Sequence, residues 1–247
     1  MDKSLTIIIP VINEATGIRA TIKRIQFDKL RKMGYDAELM VVDGGSTDNT
    51  AELATKLGAR VIVEPRRGYG RAYKTAFSIA NSDIIVTLDG DDTYPAELIP
   101  SLVKYLLDNN LNFINTNRFS SLKTSMFPIN KLGNWVLSTT FRILFRAKLY
   151  DSQSGMWIFR TRILRDIMPN ADGMPFSEEI KVKACLNVQG VVELPIPYRD
   201  RVGSSKTRVL RDGLTNLLYL FRLRTTRVST VRKAPEGQLI HTASRTR

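Results

Sequence analysis

The sequence predicts an α/β fold, a single domain built on a mostly parallel sheet with helices on both faces. Short apolar runs rich in β-branched residues alternate with segments of helical periodicity through the first half of the chain. Glycine and proline residues stand where these segments should end. The chain has 247 residues, of which 43% are hydrophobic and 25% charged, so it is long enough to bury a sizeable core.

Strands and helices are predicted in strict alternation over the first half. The strands are the mostly aliphatic runs at residues 5–9, 39–42, 60–63 and 84–88. Apolar residues at helical spacing predict one helix over 15–33, with Gly34 as its C-cap. Asp48 can cap a helix over 48–57 that Gly58 ends. Two further helices are predicted at 71–80 and 95–108.

The second half of the chain is less regular. Strands are predicted at 112–117, 157–159 and 191–194, and helices at 132–148, 180–186 and 208–224. The last of these is rich in Leu and Arg, which is typical of an amphipathic helix on a membrane surface or packed on its own domain. Residues 225–247 have little apolar periodicity and are expected to form a mobile tail.

Ligands of such folds bind beyond the carboxyl ends of the parallel strands. The segments that follow the first four strands are 11–14, 43–48, 64–70 and 89–92. All are polar, acidic or rich in glycine, so we expect them to meet on one rim of the sheet.

The segment Asp89-Gly90-Asp91-Asp92 is the sharpest local signal for a site. Carboxylates this close repel one another unless they are solvated, protonated or neutralised by a cation. Oxygen ligands suit Mg²⁺ or Mn²⁺, so the segment can form a metal site. The alternative interpretation is an acidic turn that caps a helix. Its place at the carboxyl edge of the sheet favours the metal.

Two other loops suggest contacts with a nucleotide. Asp43 can accept hydrogen bonds from a base or ribose, while Asp48 is better placed to cap a helix. The glycines of segment 66–70 permit close approach of a ligand to the backbone, and a helix N-terminus favours anions. The segment does not match a dinucleotide fingerprint or a P-loop.

The formal net charge is +13, and eleven Lys and Arg residues against two acids lie from residue 201 onward. Such a basic segment suits nucleic acid, an anionic membrane surface or an anionic substrate. A basic nucleic-acid-binding module explains the charge but not four polar loops on one rim, so we expect no nucleic-acid partner. The single histidine, His241, argues against His-based zinc sites and Ser–His–Asp hydrolysis.

The sequence also gives expectations about compartment. Cys185 is the single cysteine, which we interpret as core filler and which suits a reducing compartment. We expect neither a signal peptide nor a transmembrane helix, because no window of about 18 apolar residues lacks charge.

Seven segments, in this order, resemble the family 2 glycosyltransferases of GT-A fold, and within them the polyprenyl-phosphate hexosyltransferases such as the dolichol-phosphate mannose synthases. The segments are 9–14, 42–48, 67–70, 88–91, 117–119, 151–155 and 201–206. The resemblance covers about residues 5–223. Gly44 departs from it where many relatives have a second aspartate, and Thr93 where some have a glutamine.

The resemblance implies an inverting transfer of a hexose from a UDP- or GDP-linked sugar to dolichyl or polyprenyl phosphate. It implies that residues 1–117 bind the nucleotide sugar and residues 118–224 the acceptor. The implied nucleotide-sugar contacts are Pro10, Asn13, Glu14, Asp43, Gly68, Gly70, Asp89, Gly90 and Asp91. The implied acceptor or phosphate contacts are Arg118, Lys131, Ser154, Arg201, Ser205 and Lys206. Asp89 and Asp91 would hold the Mg²⁺ or Mn²⁺ and would act in catalysis with Arg118.

A phosphate acceptor is already an anion, so it needs no strong general base. A sugar hydroxyl of a polysaccharide or soluble acceptor, which is the alternative substrate class, would need one. Glu178 and Glu179 are then the candidates, although orienting the donor or capping a helix suits them better. By the resemblance we expect a peripheral enzyme on the cytoplasmic face of a membrane, with a membrane-protein partner or a second copy of itself.

Overall fold

One sheet of seven strands runs through the described part of the chain. Its strands are β1 (Ser4–Val11), β2 (Asp36–Asp43), β3 (Arg60–Val63), β4 (Ile84–Thr87), β5 (Phe113–Asn117), β6 (Trp157–Arg160) and β7 (Val191–Pro195). The computed structural model describes residues 3–119, 128–203 and 209–226. The strand order is β3-β2-β1-β4-β6-β5-β7, and β6 is antiparallel to both of its neighbours. The predicted mostly parallel sheet in a single α/β domain is therefore confirmed.

Helices cover both faces of this sheet. They are α1 (Ala15–Arg24), α2 (Phe27–Lys32), α3 (Thr50–Lys56), α4 (Tyr69–Ile79), α5 (Ile99–Asp108), α6 (Pro128–Phe145), α7 (Leu164–Ile167), α8 (Phe176–Asn187) and α9 (Val209–Thr225). Two 3₁₀ turns, Ala96–Leu98 and Thr161–Ile163, precede α5 and α7. None of the helices in the described part of the chain is long and apolar enough to cross a membrane.

The core has a layer on each side of the sheet, because successive side chains of a strand point to opposite faces. Along β1, Ile7 and Ile9 belong to one apolar cluster, which includes residues of α1 and α5. Ile8, between them, belongs to the other cluster, where Tyr73 of α4 stacks on Phe176 of α8. The sheet is thus buried on both faces, as its nearly continuous apolar strands require.

The single helix predicted over 15–33 is wrong, because the structure has α1 and α2 with a break between them. Ile25 there is extended, with φ −67° and ψ 123°, and its side chain is buried in the core. The Phe27 backbone N–H donates to the Ile25 carbonyl at 3.1 Å as α2 begins. Burial of Ile25 therefore overrides a helical periodicity that runs on past it. The predicted C-cap Gly34 follows α2 with φ +85°.

The last two long helices, α6 and α9, pack against each other beside the sheet. Leu137 and Phe141 of α6 form an apolar cluster with Leu220 and Leu223 of α9. The predicted helix over 208–224 is thus amphipathic and packs on its own domain through one face. Of the predicted tail, residues 227–247 lie outside the described part of the chain.

Candidate active site

The predicted polar loops meet at the carboxyl edge of the sheet. β1 and β2 end side by side, since Val11 is in register with Asp43. A cavity of about 500 Å³ opens at this edge. Its wall includes Asp89, Arg118, Gly155, Tyr198 and Arg201, together with residues from α6 and α9.

The loops after β1 and β2 hold each other in place. Asp43 is buried and accepts a hydrogen bond from the Ser46 backbone N–H at 3.1 Å. The Asn13 side-chain oxygen accepts from the Thr47 N–H at 2.7 Å, and Asn13 has a left-handed backbone with φ 49°. Pro10 lies in β1 opposite Val42 of β2. Three residues predicted to contact the nucleotide sugar thus lie at the ends of two neighbouring strands or in the loop that follows.

Asp48 lies between these loops and α3. Its carboxylate accepts hydrogen bonds from the backbone N–H of Thr50 at 3.0 Å and of Ala15 at 3.3 Å. These are the first residues of α3 and α1. One aspartate therefore binds the first backbone N–H of two helices, although Asn49 and not Asp48 is the N-cap residue of α3.

Asp89 and Asp91 differ in their surroundings. Burial, and then the negative charge of Asp91, raise the pKa of Asp89 to about 7 against the attraction of Arg201. No donor in the described residues hydrogen-bonds to the Asp89 carboxylate. Asp91 accepts from the Thr93 hydroxyl and N–H at 2.5 and 3.1 Å, and its Oδ2 lies 2.5 Å from Nη2 of Arg201.

The third aspartate of the segment, Asp92, is turned away from the other two. Its carboxylate pairs with Nε of Arg24 at 2.7 Å, and its N–H donates to the Thr21 hydroxyl at 2.9 Å. Gly90 is buried between these aspartates, and a Cβ on it would lie 2.8 Å from Cγ1 of Val11. Asp92 therefore ties its turn to α1 and is not placed as a ligand contact.

Two carboxylates at a cavity fit a hard divalent cation. Mg²⁺ is usually bound by one or two carboxylates plus substrate phosphates and water. Asp89, half-buried, near a second carboxylate and without a donor in the described residues, has the surroundings that a cation would stabilise. The described residues contain no cluster of three or more His, Cys, Asp or Glu side chains suited to a metal. A cation here would thus draw its other ligands from phosphate and water.

Because Gly68 and Gly70 have no side chain, another part of the protein lies close to their backbone. A Cβ on Gly70 would lie 2.5 Å from Cβ of Phe176, and one on Gly68 would strike the Asp172 carbonyl. Gly68 also has φ 140°, which side chains rarely adopt. These glycines position the start of α4, and their predicted contact with the nucleotide sugar stays a prediction.

Arg118 forms a buried ion pair at the cavity wall. Its Nε and Nη2 donate to the two oxygens of Asp151 at 2.7 and 2.8 Å, and its guanidinium lies 5.2 Å from the ring centre of Tyr198. The charge of Arg118 holds the pKa of Asp151 below its ordinary value, although burial raises it. Nη1 has no partner in the described residues, so the guanidinium can donate to an anion in the cavity.

The other predicted acceptor contacts are spread over three settings. Arg201 lines the cavity, with Nη1 3.4 Å from Glu14, a predicted nucleotide-sugar contact. Ser154 is fully buried, and its hydroxyl bonds to that of Thr116 at 2.7 Å rather than facing the cavity. Lys131 is exposed on α6 and does not line the cavity. Ser205 and Lys206 lie outside the described residues.

Glu178 and Glu179 are buried at the start of α8 and do not line the cavity. Burial raises the pKa of Glu178 to about 8, and its carboxyl accepts a short hydrogen bond from the Gln153 amide. Glu179 accepts from the Tyr219 hydroxyl at 2.7 Å and pairs with Lys183 at 2.9 Å. Neither glutamate is presented to the cavity as a general base.

The sequence did not single out several residues that build this wall. Asp151 and Gly155 stand in a segment that carried the family resemblance, but their roles depend on contacts with Arg118 and Asp89. A Cβ on Gly155 would lie 2.8 Å from Oδ2 of Asp89. Lys181, which is buried behind the wall, gave no sequence signal, because a lysine in a helix is ordinarily exposed.

The chain is similar to a known family of proteins. The sequence model described as "Glycosyl transferase family 2" matches residues 6–168 of the chain. The chain belongs to this family. The predicted family 2 membership and glycosyltransferase class are therefore confirmed.

Relatives of the family 2 chain extend this comparison. A dolichyl-phosphate hexose transferase of Haloferax volcanii is 31% identical over 85% of the chain and 89% of its own length. An uncharacterized glycosyltransferase of Mycobacterium tuberculosis is 32% identical over 89% of the chain and 97% of its length. Crystalline glucosyl-3-phosphoglycerate synthase from Mycobacterium tuberculosis, with Mn²⁺ and UDP, has a TM-score of 0.69, 19% identity, and 90% and 80% coverage of the two chains. This last likeness supports the fold.

Gly155→Ala should weaken metal-dependent binding of a nucleoside diphosphate by about 10-fold or more, the range seen when groups that orient metal ligands are changed. The added Cβ would press on the Asp89 carboxylate, 2.8 Å away. Titration calorimetry with UDP or GDP and Mn²⁺ measures the effect. Gly173→Ala is the matched control, since its Cβ would lie 3.6 Å from the nearest atom. Equal affinity in both variants contradicts the packing of Gly155 on Asp89.

Proposed function

We propose that this family 2 glycosyltransferase transfers a hexose from a nucleotide-diphosphate sugar to a polyprenyl phosphate such as dolichyl phosphate, with inversion. The observation that carries the proposal is Arg118, a cation fixed by Asp151 at the wall of the cavity that also contains Asp89. A rigidly held guanidinium suits a phosphate. The dolichyl-phosphate hexose transferase of Haloferax volcanii supports this acceptor class.

The donor would lie along the edge formed by β1, β2 and the turn after β4. Pro10, Asn13, Glu14 and Asp43 would contact the nucleoside. Asp89 and Asp91 would hold Mg²⁺ or Mn²⁺, which when bound offsets the negative charge of the donor's diphosphate.

Arg201 supplies a second cation beside the donor. Its guanidinium lies against Asp91 and Glu14, and it lines the cavity. As the bond to the sugar breaks, negative charge grows on the departing nucleoside diphosphate. A fixed cation at that place favours the transition state over the bound substrate.

The acceptor phosphate attacks the anomeric carbon in line with the departing diphosphate. It is an anion at neutral pH, so no residue has to remove a proton from it. The buried states of Glu178 and Glu179 agree with this chemistry, because neither faces the cavity. A hydroxyl acceptor would instead need a base at the reacting oxygen.

The lipid part of the acceptor requires an apolar neighbourhood near the cavity. α6 and α9 line the cavity on one face and expose apolar side chains on another. The exposed set is Ile129, Leu132, Trp135, Val136, Ile143, Leu214, Leu218 and Phe221, which we call the apolar face. Arg211, Arg222 and Arg224 are exposed on α9 as well. A mixture of apolar and basic groups suits the surface of an anionic membrane, so we place the enzyme there as a peripheral protein on the cytoplasmic side.

The acceptor is tested by a screen with the full chain. UDP- and GDP-linked hexoses are supplied with Mg²⁺ or Mn²⁺ and a short, water-soluble polyprenyl phosphate, and nucleotide release and the glycolipid product are measured. We expect transfer to the polyprenyl phosphate and none to the matching polyprenol, which lacks the anion. Equal transfer to the polyprenol, or transfer only to soluble sugars or phosphoglycerate, contradicts the proposed acceptor.

Asp91→Asn should reduce turnover by about 100-fold or more, because it removes a charge where the metal and diphosphate would bind. Asp92→Asn is the matched control, since Asp92 pairs with Arg24 away from the cavity. Steady-state kinetics at saturating donor, together with thermal unfolding of both variants, measures the contrast. Similar losses in the two folded variants would refute the separate roles of these aspartates.

Replacing Leu218 and Phe221 by Asp should lower binding to vesicles that contain anionic lipid by about 10-fold or more, since charged side chains are costly in an apolar lipid environment. Activity on the short, water-soluble polyprenyl phosphate should fall less than vesicle binding. Vesicle sedimentation and the transfer assay give the two readouts. Tyr105→Asp, at an exposed position of α5, is the control. Unchanged vesicle binding in the double variant contradicts the membrane assignment.

A further inference from the structure

Lys181 of α8 is fully buried, and its ammonium forms no ion pair within the part of the chain that the structure describes. Its Nζ donates to the carbonyl oxygens of Ser152 and Ser154, both at 2.6 Å, and to the Ser177 hydroxyl at 2.9 Å. It also lies 4.9 Å from the ring centre of Trp157. Burying an ammonium against neutral partners is costly, so this position calls for an explanation beyond packing.

Both carbonyl groups held by Lys181 belong to the segment 151–155, which forms part of the cavity wall. Asp151, at its start, binds Arg118 through both carboxylate oxygens. Gly155, at its end, lies against Asp89. Lys181 therefore contacts the backbone between the partner of the acceptor-binding cation and the neighbour of the proposed metal ligand.

Hydrogen bonds from several elements hold the other polar groups of the segment. The Ser152 N–H donates to the Ser138 hydroxyl at 3.0 Å, and the Gly155 N–H donates to the Tyr94 hydroxyl at 2.6 Å. The carbonyls of Ser152 and Ser154 depend on Lys181, with Trp157 Nε1 as a second donor to Ser154 at 2.6 Å. A neutral side chain of similar length in place of Lys181 would leave the Ser152 carbonyl buried without its donor.

We propose that Lys181 is a positioning residue of the transfer reaction, which fixes the segment 151–155 and places a positive charge behind the carboxylates of the site. The proposal rests on the proposed function, because the groups that it positions are those assigned to acceptor and donor. Lys181 does not line the cavity, so it acts through the segment and through its charge, and it does not touch the substrate.

Charged groups surround the ammonium on several elements. These groups are Asp151 and Arg118, which pair with each other, Glu178 of α8 and Glu193 of β7. Burial lowers the pKa of Lys181 to about 7, against the attraction of Asp151. The ammonium thus loses its proton as pH rises through this value. A neutral amine donates two hydrogen bonds rather than three, so we expect turnover to fall on the alkaline side.

The test compares Lys181→Met, Lys181→Arg and Lys183→Met in the full chain. Lys183 lies on the same helix but pairs with Glu179 and donates to the Met168 carbonyl, so it is the matched control. Turnover, KM for the polyprenyl phosphate and donor affinity are measured from acidic to alkaline pH, with circular dichroism and thermal unfolding as checks of folding.

We expect Lys181→Met to lower kcat by about 10- to 100-fold, the range seen when a residue that holds the ligand-binding residues in place is changed. The change in donor affinity should be smaller. Its pH profile should lack the alkaline decrease that the wild type and Lys183→Met share. Lys181→Arg keeps a charge that does not titrate, so it should retain more activity than Lys181→Met and also lack the decrease.

Wild-type kcat in folded Lys181→Met, or an alkaline decrease that persists in it, overturns the proposal. If no Lys181 variant folds, the wild-type profile decides, and a turnover that stays constant into alkaline pH overturns it. Failure of the proposed function is seen separately, as absence of transfer to polyprenyl phosphate by the wild type. The same pH comparison then uses the acceptor that the screen identifies, or the slow hydrolysis of the donor.

Discussion

The site depends on a buried segment, residues 151–155, whose polar backbone groups have to find partners inside the protein. Glu193 accepts from the N–H groups of Tyr150 and Asp151, and the Asn115 amide donates to the Asp151 carbonyl. Lys181 and the Tyr94 hydroxyl hold the rest of the segment. Donors and acceptors thus come from β5, β7, α8 and the turn after β4. Contacts from several elements therefore fix the shape of the segment, together with bonds inside it such as that from the Gln153 N–H to the Asp151 carboxylate at 3.3 Å.

The ion pair of Arg118 and Asp151 follows from that constraint. A buried guanidinium is costly unless its donors are satisfied, and removal of either partner of such a pair destabilises a protein by about 3–5 kcal/mol. Asp151 uses two of the guanidinium nitrogens and leaves the third for an anion. Structural need and ligand binding are thus met by different nitrogens of one side chain. This division explains how Arg118 can be rigid before any acceptor arrives.

Much of the sheet could be predicted because strand signals are local. The runs that became β2, β3 and β4 are apolar, short and closed by glycine, proline or acidic residues. The break at Ile25 could not be predicted, since it depends on a core that the periodicity does not describe. In the site, the sequence indicated a group of acidic side chains at residues 89–92, and the family resemblance singled out Asp89 and Asp91 among them. The separation of Asp92 depends on Arg24, 68 residues away along the chain, and the role of Lys181 depends on carbonyls of another loop. Such long-range contacts leave no pattern in a single sequence.

The reversed direction of β6 has a topological consequence. In a sheet of parallel strands, the segments that follow the strands all lie at the carboxyl edge. The segments that precede the strands lie at the opposite edge. β6 runs against β4 and β5 on either side of it, so its entrance lies on the edge where theirs have their exits. Gly155 and the residues before it lie on this edge because they lead into β6. One antiparallel strand thus lets the same edge of the sheet be built from segments that leave strands and from a segment that enters one. A loop inserted before β6 would change this edge without disturbing the helices that connect the parallel strands.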